Sequence, residues 1–241
     1  NVLRHVIEVC RQQGVAFRTM PGLYELLGGN VSVSRLREVD ISDLLRRAPV
    51  TIESSALGEV LQGRVVMVTG AGGSIGRELC RQIAQLNPAK LLMLGHGENS
   101  IFSAFLSLRE NFSSLEIIPL IADVRDHDRL NVLFNRWKPD VIFHTAAHKH
   151  VPLMESNIEE AVTNNILGTQ NVVKVALAHD VQRLVLISTD KAIRPVNVMG
   201  GTKRIAEMIV LNAARQYKRA FSVVRFGNVL GSRGSVVPRF K

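Results

Sequence analysis

Residues 64–79 read RVVMVTGAGGSIGREL. The unbroken apolar run after Arg64 predicts a strand covered on both faces, as in a parallel sheet. The period then changes: SIGRELCRQIAQL carries apolar residues at helical spacing. Between strand and helix stand Gly70, Gly73 and Gly76, with Gly72 among them. The spacing is GxxGxxG. Gly70 permits a tight turn, Gly73 a close backbone approach by a pyrophosphate, and Gly76 close packing of the helix on the sheet. Amides of Ser74, Ile75 and Arg77 at the helix start, aided by the helix dipole, suit phosphate oxygens. The implied ligand is a dinucleotide; the alternative is a glycine-rich structural turn.

The same alternation continues outward. KLLMLG, LEIIPLIAD, DVIFHTAA, RLVLIST and AFSVVRF read as strands. NSIFSAFLSLREN, DHDRLNVLFNRW, IEEAVTNNILGTQNVVKVALAHD and GTKRIAEMIVLNAARQY read as helices. Apolar strands alternating with helices predict an α/β fold, a doubly wound parallel sheet, with strand order 3-2-1-4-5-6 expected. This core spans residues 64–241. Residues 1–50 read as a small α/β appendage, the end of an upstream domain, and 51–63 as a linker.

The second strand ends LLMLGHGENS. Gly95 stands where a ribose-binding carboxylate is expected, and Glu98 comes three residues later. A 2′-phosphate then fits near Arg77 and His96, so NADP is favoured over the alternative, NAD. Asp123, which ends the third strand, is a candidate acceptor for the adenine amino group or a plain turn residue; Val124 follows it. Small Ala146 and Ala147 after the fourth strand leave room for the cofactor backbone, and Ser188 near the end of the fifth completes the cofactor set.

Composition narrows the partners. The chain has 241 residues, 46% hydrophobic, with formal charge +9. Its Lys and Arg residues are dispersed, without interleaved aromatics, which argues against nucleic acid and fits a phosphorylated ligand. Cys10 and Cys80 lie far apart, fit no metal spacing and read as reduced thiols in a cytoplasmic compartment. No apolar run reaches the roughly 18 residues that span a bilayer. His144, His148 and His150 invite a metal reading, but no Cys or carboxylate completes a ligand spacing, so none is assigned. The sequence opens at Asn1 and closes on VVPRFK, and we expect it to be part of a longer chain.

Three further stretches carry a specific resemblance: AAHKHVPLME, STDKAIRPVNVMGGTKR and RFGNVLGSRGSVVPRF. With GxxGxxG and HTAA they resemble the extended short-chain dehydrogenase/reductase superfamily, a Rossmann fold. Within it they are similar to the membrane-anchored nucleotide-sugar 4,6-dehydratases of bacterial polysaccharide biosynthesis. That resemblance implies UDP-N-acetylglucosamine as substrate, a UDP-4-keto-6-deoxy sugar as product, and a parent protein anchored upstream at the cytoplasmic face of the inner membrane. A sugar-binding lobe is expected beyond residue 241.

The implied chemistry takes hydride from C4, removes the C5 proton, protonates the leaving C6 hydroxyl and returns hydride to C6. Two proton-transfer groups are needed on one edge of the sugar. By the resemblance, Asp190 is the C6 acid and Lys191 the C5 base, its pKa lowered by burial and by nearby Lys203. The alternative for the pair is a strand-end salt bridge. Lys203 is expected on the nicotinamide ribose. Met199 stands where the superfamily usually has a tyrosine, and it cannot move a proton. Asp190, Thr189 or a water is then the acceptor for the C4 hydroxyl, Met199 packs on nicotinamide or sugar, and Met199→Tyr is expected to be tolerated or activating. Lys149, Glu155, Asn165, Asn228, Ser232 and Arg233 are implied substrate contacts, or else caps and turn residues. The helices near 158–178 and 202–217 suit a homo-oligomer or simply cover the sheet. Two other functions stay open: a nucleotide-sugar 4-epimerase, which needs no C5 base, and a non-catalytic NAD(P)-binding module.

Overall fold

The computed structural model describes residues 54–229, so the expectations for residues 1–50, Ser232 and Arg233 lie outside the described residues. Six parallel strands form one sheet in the order β3-β2-β1-β4-β5-β6. They are β1 (Val65–Thr69), β2 (Lys90–Gly95), β3 (Ile117–Ile121), β4 (Val141–His144), β5 (Arg183–Thr189) and β6 (Ala220–Phe226). The expected order and the α/β Rossmann-like class are both found.

The helices are α1 (Ser54–Leu61), α2 (Ser74–Ala84), α3 (Glu98–Asn111), α4 (His127–Trp137), α5 (Val151–Glu155), α6 (Ile158–Val162), α7 (Gly168–Ala178) and α8 (Val198–Tyr217). Alternate strand residues feed two cores. Val66, Val68, Leu91 and Met93 meet Cys80 and Ile83 of α2 and Ile101 of α3 on one face. Met67, Leu92, Ile142 and Leu184 meet Phe134 of α4, Val172 of α7 and Val210 of α8 on the other. Two covered faces explain why the strands lack polar alternation.

Three local features differ from the expectations. Residues 54–61, inside the stretch read as a linker, form α1, and Leu61 is buried against the α2–α3 core. The long helix expected over 158–178 is interrupted by a π turn at Thr163–Leu167, which turns both Asn164 and Asn165 inward. The last helix starts at Val198 because the Asn197 side chain accepts the Gly200 amide hydrogen at 2.7 Å. That start carries Met199 into the first helical turn. Among the described residues, no helix is long and apolar enough to cross a membrane.

Candidate active site at the carboxyl ends of the strands

Between β1 and β4 the strand order reverses, and their carboxyl ends pair at Thr69 and His144. Ligands of open α/β sheets bind at such a switch point. Here it is lined by the glycine loop. Gly70 has φ +68°, and a Cβ added to it would lie 2.7 Å from the Ala146 backbone nitrogen. A Cβ on Gly76 would lie 2.2 Å from the Gly70 carbonyl oxygen, so α2 packs on the loop itself. A Cβ on Gly72 would lie 2.4 Å from Ser100 Oγ on α3. These contacts force bare backbone along the cavity wall. The N-cap of α2 is Gly73, with no side-chain cap and no acidic residue in the first turn. That arrangement leaves the dipole end of α2 suited to phosphate.

The cavity there holds about 280 Å³ and takes in Gly70, Gly73, His96, Val124, Ala146 and Ala147 from the expected cofactor set. Thr145, His148, Asn164 and Ser100 also line it, and the sequence reading had not named them as cofactor contacts. A cradle of unsubstituted backbone at a helix start fits a dinucleotide pyrophosphate. Arg77 lies elsewhere, in the hollow between α2 and α3, where its guanidinium donates to Ser103 Oγ at 3.0 Å. Asp123 is gripped by Arg125 through Nε and Nη2, the shortest contact being 2.6 Å, and this holds its carboxyl below the usual range. Arg125 also pairs with Glu160 at 3.0 Å, and Glu160 Oε1 lies 3.1 Å from His148 Nε2. A four-residue polar chain thus runs from the β3 end to the cavity edge.

His144 is fully buried under the loop. Its Nδ1 lies 2.6 Å from Thr69 Oγ1 and its Nε2 3.0 Å from Thr169 Oγ1. Thr169 donates its hydroxyl hydrogen to the Asn165 carbonyl at 2.7 Å, so it must accept from His144. The proton therefore sits on Nε2, and Thr69 donates to Nδ1. Burial first, and the charge of Lys203 second, push the imidazole down to about 3, so it is neutral.

At the end of β5, Thr189 Oγ1 donates to Asp190 Oδ1 at 2.9 Å. Lys191 Nζ donates to the same oxygen at 3.2 Å and to Asn228 Oδ1 at 3.2 Å. The Thr189 bond, followed by Lys191, draws the Asp190 carboxyl below its ordinary value. Lys191 is 36% exposed, so the burial expected around it is not found here. Lys203 is buried, and its Nζ donates to the Ile187 carbonyl at 2.8 Å. Burial pushes its ammonium down to about 8, against the opposing pull of Glu207. Met199 is buried beside Met154 and Ala161 on α5 and α6. Those are its packing partners.

The remaining expected residues are placed as follows. Ser188 turns away from the cavity and donates to buried Glu207 at 2.6 Å. Asn165 is buried. It accepts the His148 amide hydrogen at 2.8 Å and donates to the His148 carbonyl at 3.1 Å and to Thr202 Oγ1 at 3.0 Å. It therefore acts as a backbone clamp. Glu155 accepts the Val198 amide hydrogen at 2.7 Å, capping α8. Lys149 is exposed. Among the described residues no group of three His, Cys, Asp or Glu side chains could hold a metal ion.

A glycine cradle at the switch point of a parallel six-stranded sheet defines a Rossmann-like α/β domain. Residues 66–241 match the family described as Polysaccharide biosynthesis protein, and the chain belongs to it. It is 48% identical to the capsular polysaccharide biosynthesis protein CapD of Staphylococcus aureus, over 99% of this chain and 40% of that protein. It is 37% identical to a UDP-N-acetylglucosamine 4,6-dehydratase (inverting) of Campylobacter jejuni, over 76% of this chain and 54% of that enzyme. A UDP-glucose 4-epimerase of Rickettsia bellii is 34% identical over 73% of this chain and 52% of its own length. The solved structure of Pen from Bacillus thuringiensis superposes with TM-score 0.70 at 37% identity, covering 75% of this chain and 57% of that one. The chain thus spans roughly half the length, or less, of these relatives.

Proposed function

We propose that the longer protein to which these residues belong is a nucleotide-sugar 4,6-dehydratase acting on UDP-N-acetylglucosamine in polysaccharide biosynthesis. The observation that carries this reading is the Asp190–Lys191 pair at the carboxyl end of β5, flanked by Asn228 and by the Lys203 helix. An epimerase needs hydride transfer at C4 alone and has no use for a carboxylate–amine pair. A nicotinamide cofactor held at the glycine cradle supplies reversible hydride acceptance; NADP remains our preference.

The pair carries one exchangeable proton across a 3.2 Å contact. Exposed to water it rests as carboxylate and ammonium. Cover by the sugar disfavours two charges and shifts the proton to Asp190, leaving a neutral Lys191. Neutral Lys191 takes the C5 proton, and protonated Asp190 gives its proton to the departing C6 hydroxyl. The pair ends in the charged form seen here; as hydride returns to C6, C5 takes one proton from water, which balances the C4 hydroxyl proton released to water. Thr189, hydrogen-bonded to Asp190, passes the C4 hydroxyl proton to water.

The test is incubation of the complete protein with UDP-N-acetylglucosamine and NADP or NAD in heavy water. Loss of one water with one deuterium gained at C5 supports the proposal. A 4-epimer without C5 label supports the epimerase reading. Unchanged sugar supports a binding module, a reading that buried Met199 favours because it offers no proton-transfer group at the tyrosine's place.

A further inference from the structure

Glu207 is the least expected charged residue of the molecule. It lies in the middle of α8 with no solvent exposure at its side chain. Three elements converge on it. Ser188 Oγ, from the end of β5, donates to Oε1 at 2.6 Å. Arg225, from β6, donates through Nε to Oε1 at 2.7 Å and through Nη2 to Oε2. Arg204, one turn earlier on α8, donates to Oε2 at 3.1 Å. Each partner lies within three residues of a candidate site group in the chain. Ser188 precedes Thr189, Asp190 and Lys191. Arg225 precedes Asn228, which accepts from Lys191. Lys203 lies four residues before Glu207, on the same helical face.

We propose that Glu207 is a positioning residue for the candidate site. Its carboxylate ties the ends of β5 and β6 to α8 and sets a negative charge one helical turn from Lys203, where it favours the ammonium. A buried carboxylate survives only when its lone pairs are met and its charge is balanced. Burial would raise its carboxyl; the hydrogen bonds from Arg225, Ser188 and Arg204 outweigh it and hold Glu207 ionised. Lys203 stands on the other side of the balance: burial lowers it and Glu207 raises it.

The charged and titratable groups around Lys203 can be named element by element. Its own helix brings Arg204 and Glu207. β4 brings neutral His144. β6 brings Arg225, already held by Glu207. The turn after β5 brings Asp190 and Lys191, bonded to each other. α5 brings Glu155, bound to the Val198 amide, and α6 brings Glu160, held by Arg125 and His148. Among these, Glu207 is the anion that raises Lys203.

The test is a direct titration of Lys203 in the full chain, labelled with carbon-13 at lysine Cε and followed by NMR, with the resonance assigned from Lys203→Arg. In the unmodified protein the midpoint is expected near 8. In Glu207→Gln it falls by about one unit. In Glu207→Asp, which keeps the charge and shortens the reach, it stays near the unmodified value. Loss of folding would expose Lys203 and raise its midpoint toward 10.5, so a folding defect cannot imitate the fall. An unchanged midpoint in Glu207→Gln overturns the countercharge. The positioning role rests on the dehydratase reading and has its own readout: Glu207→Asp lowers kcat about tenfold or more while dinucleotide affinity holds. Unaltered kcat in that variant overturns positioning. Absence of turnover in the unmodified protein refutes the dehydratase reading and leaves the Lys203 titration standing.

Discussion

Acidification should destabilise this domain partly through one residue. His144 is buried neutral, with its midpoint lowered from 6.5 to about 3. Between those values the unfolded chain binds a proton that the native state refuses. Stability therefore falls as pH drops below 6.5, with a slope of one extra proton. At pH 4.5 the separation is two pH units, or about 3 kcal/mol at 1.36 kcal/mol per unit. Carboxylates such as Asp123, held low by Arg125, add their own acid dependence, so the informative quantity is a difference. We predict that His144→Asn is less stable at neutral pH, having lost the bond to Thr169, but loses about 3 kcal/mol less than the unmodified protein between pH 7.5 and 4.5. Urea midpoints across that range, with m-values checked for constancy, give the comparison. Parallel pH dependences would refute the buried neutral imidazole.

Gly70→Ala combines an unfavourable φ with a clash against Ala146 backbone; it should cost about 2 kcal/mol or more and abolish dinucleotide binding. Gly201→Ala, in open space on α8, should instead gain roughly 0.5–1 kcal/mol in a thermal melt. Asn165→Ala strands the His148 backbone and should lower stability by about 2–4 kcal/mol; an effect on KM alone would restore the substrate-contact reading. Lys191→Met should reduce turnover by about 100-fold or more without weakening dinucleotide binding measured by calorimetry.

The glycine loop and the sheet order were legible because their signals are local: apolar runs, one change of period and three spaced glycines. Roles set by distant partners were not. The strand-end polarity of His144 gives no hint of burial, which depends on Thr69, 75 positions earlier. Glu155 caps a helix that starts 43 positions later. Asn165 reads equally as ligand or clamp until the π turn aims it at His148. The Asn164–Asn165 pair inside an apolar helix was a visible signal of that turn, as was Arg125 two residues after Asp123. Glu207 could be noticed only as a charge on the apolar side of α8. Met199 was expected to pack on nicotinamide or sugar; its protein neighbours are Met154, on a short helix the periodicity did not reveal, and Ala161, at the start of the helix read over 158–178.

The central claim is that C4 oxidation and C6 reduction share one hydride, with Lys191 and Asp190 handling the protons between them. UDP-N-acetylglucosamine deuterated at C4, supplied to the complete protein, tests this most directly. The account predicts that the label reappears on the C6 methyl group of a 4-keto product. Label that returns to C4, or stays there untouched, would contradict it.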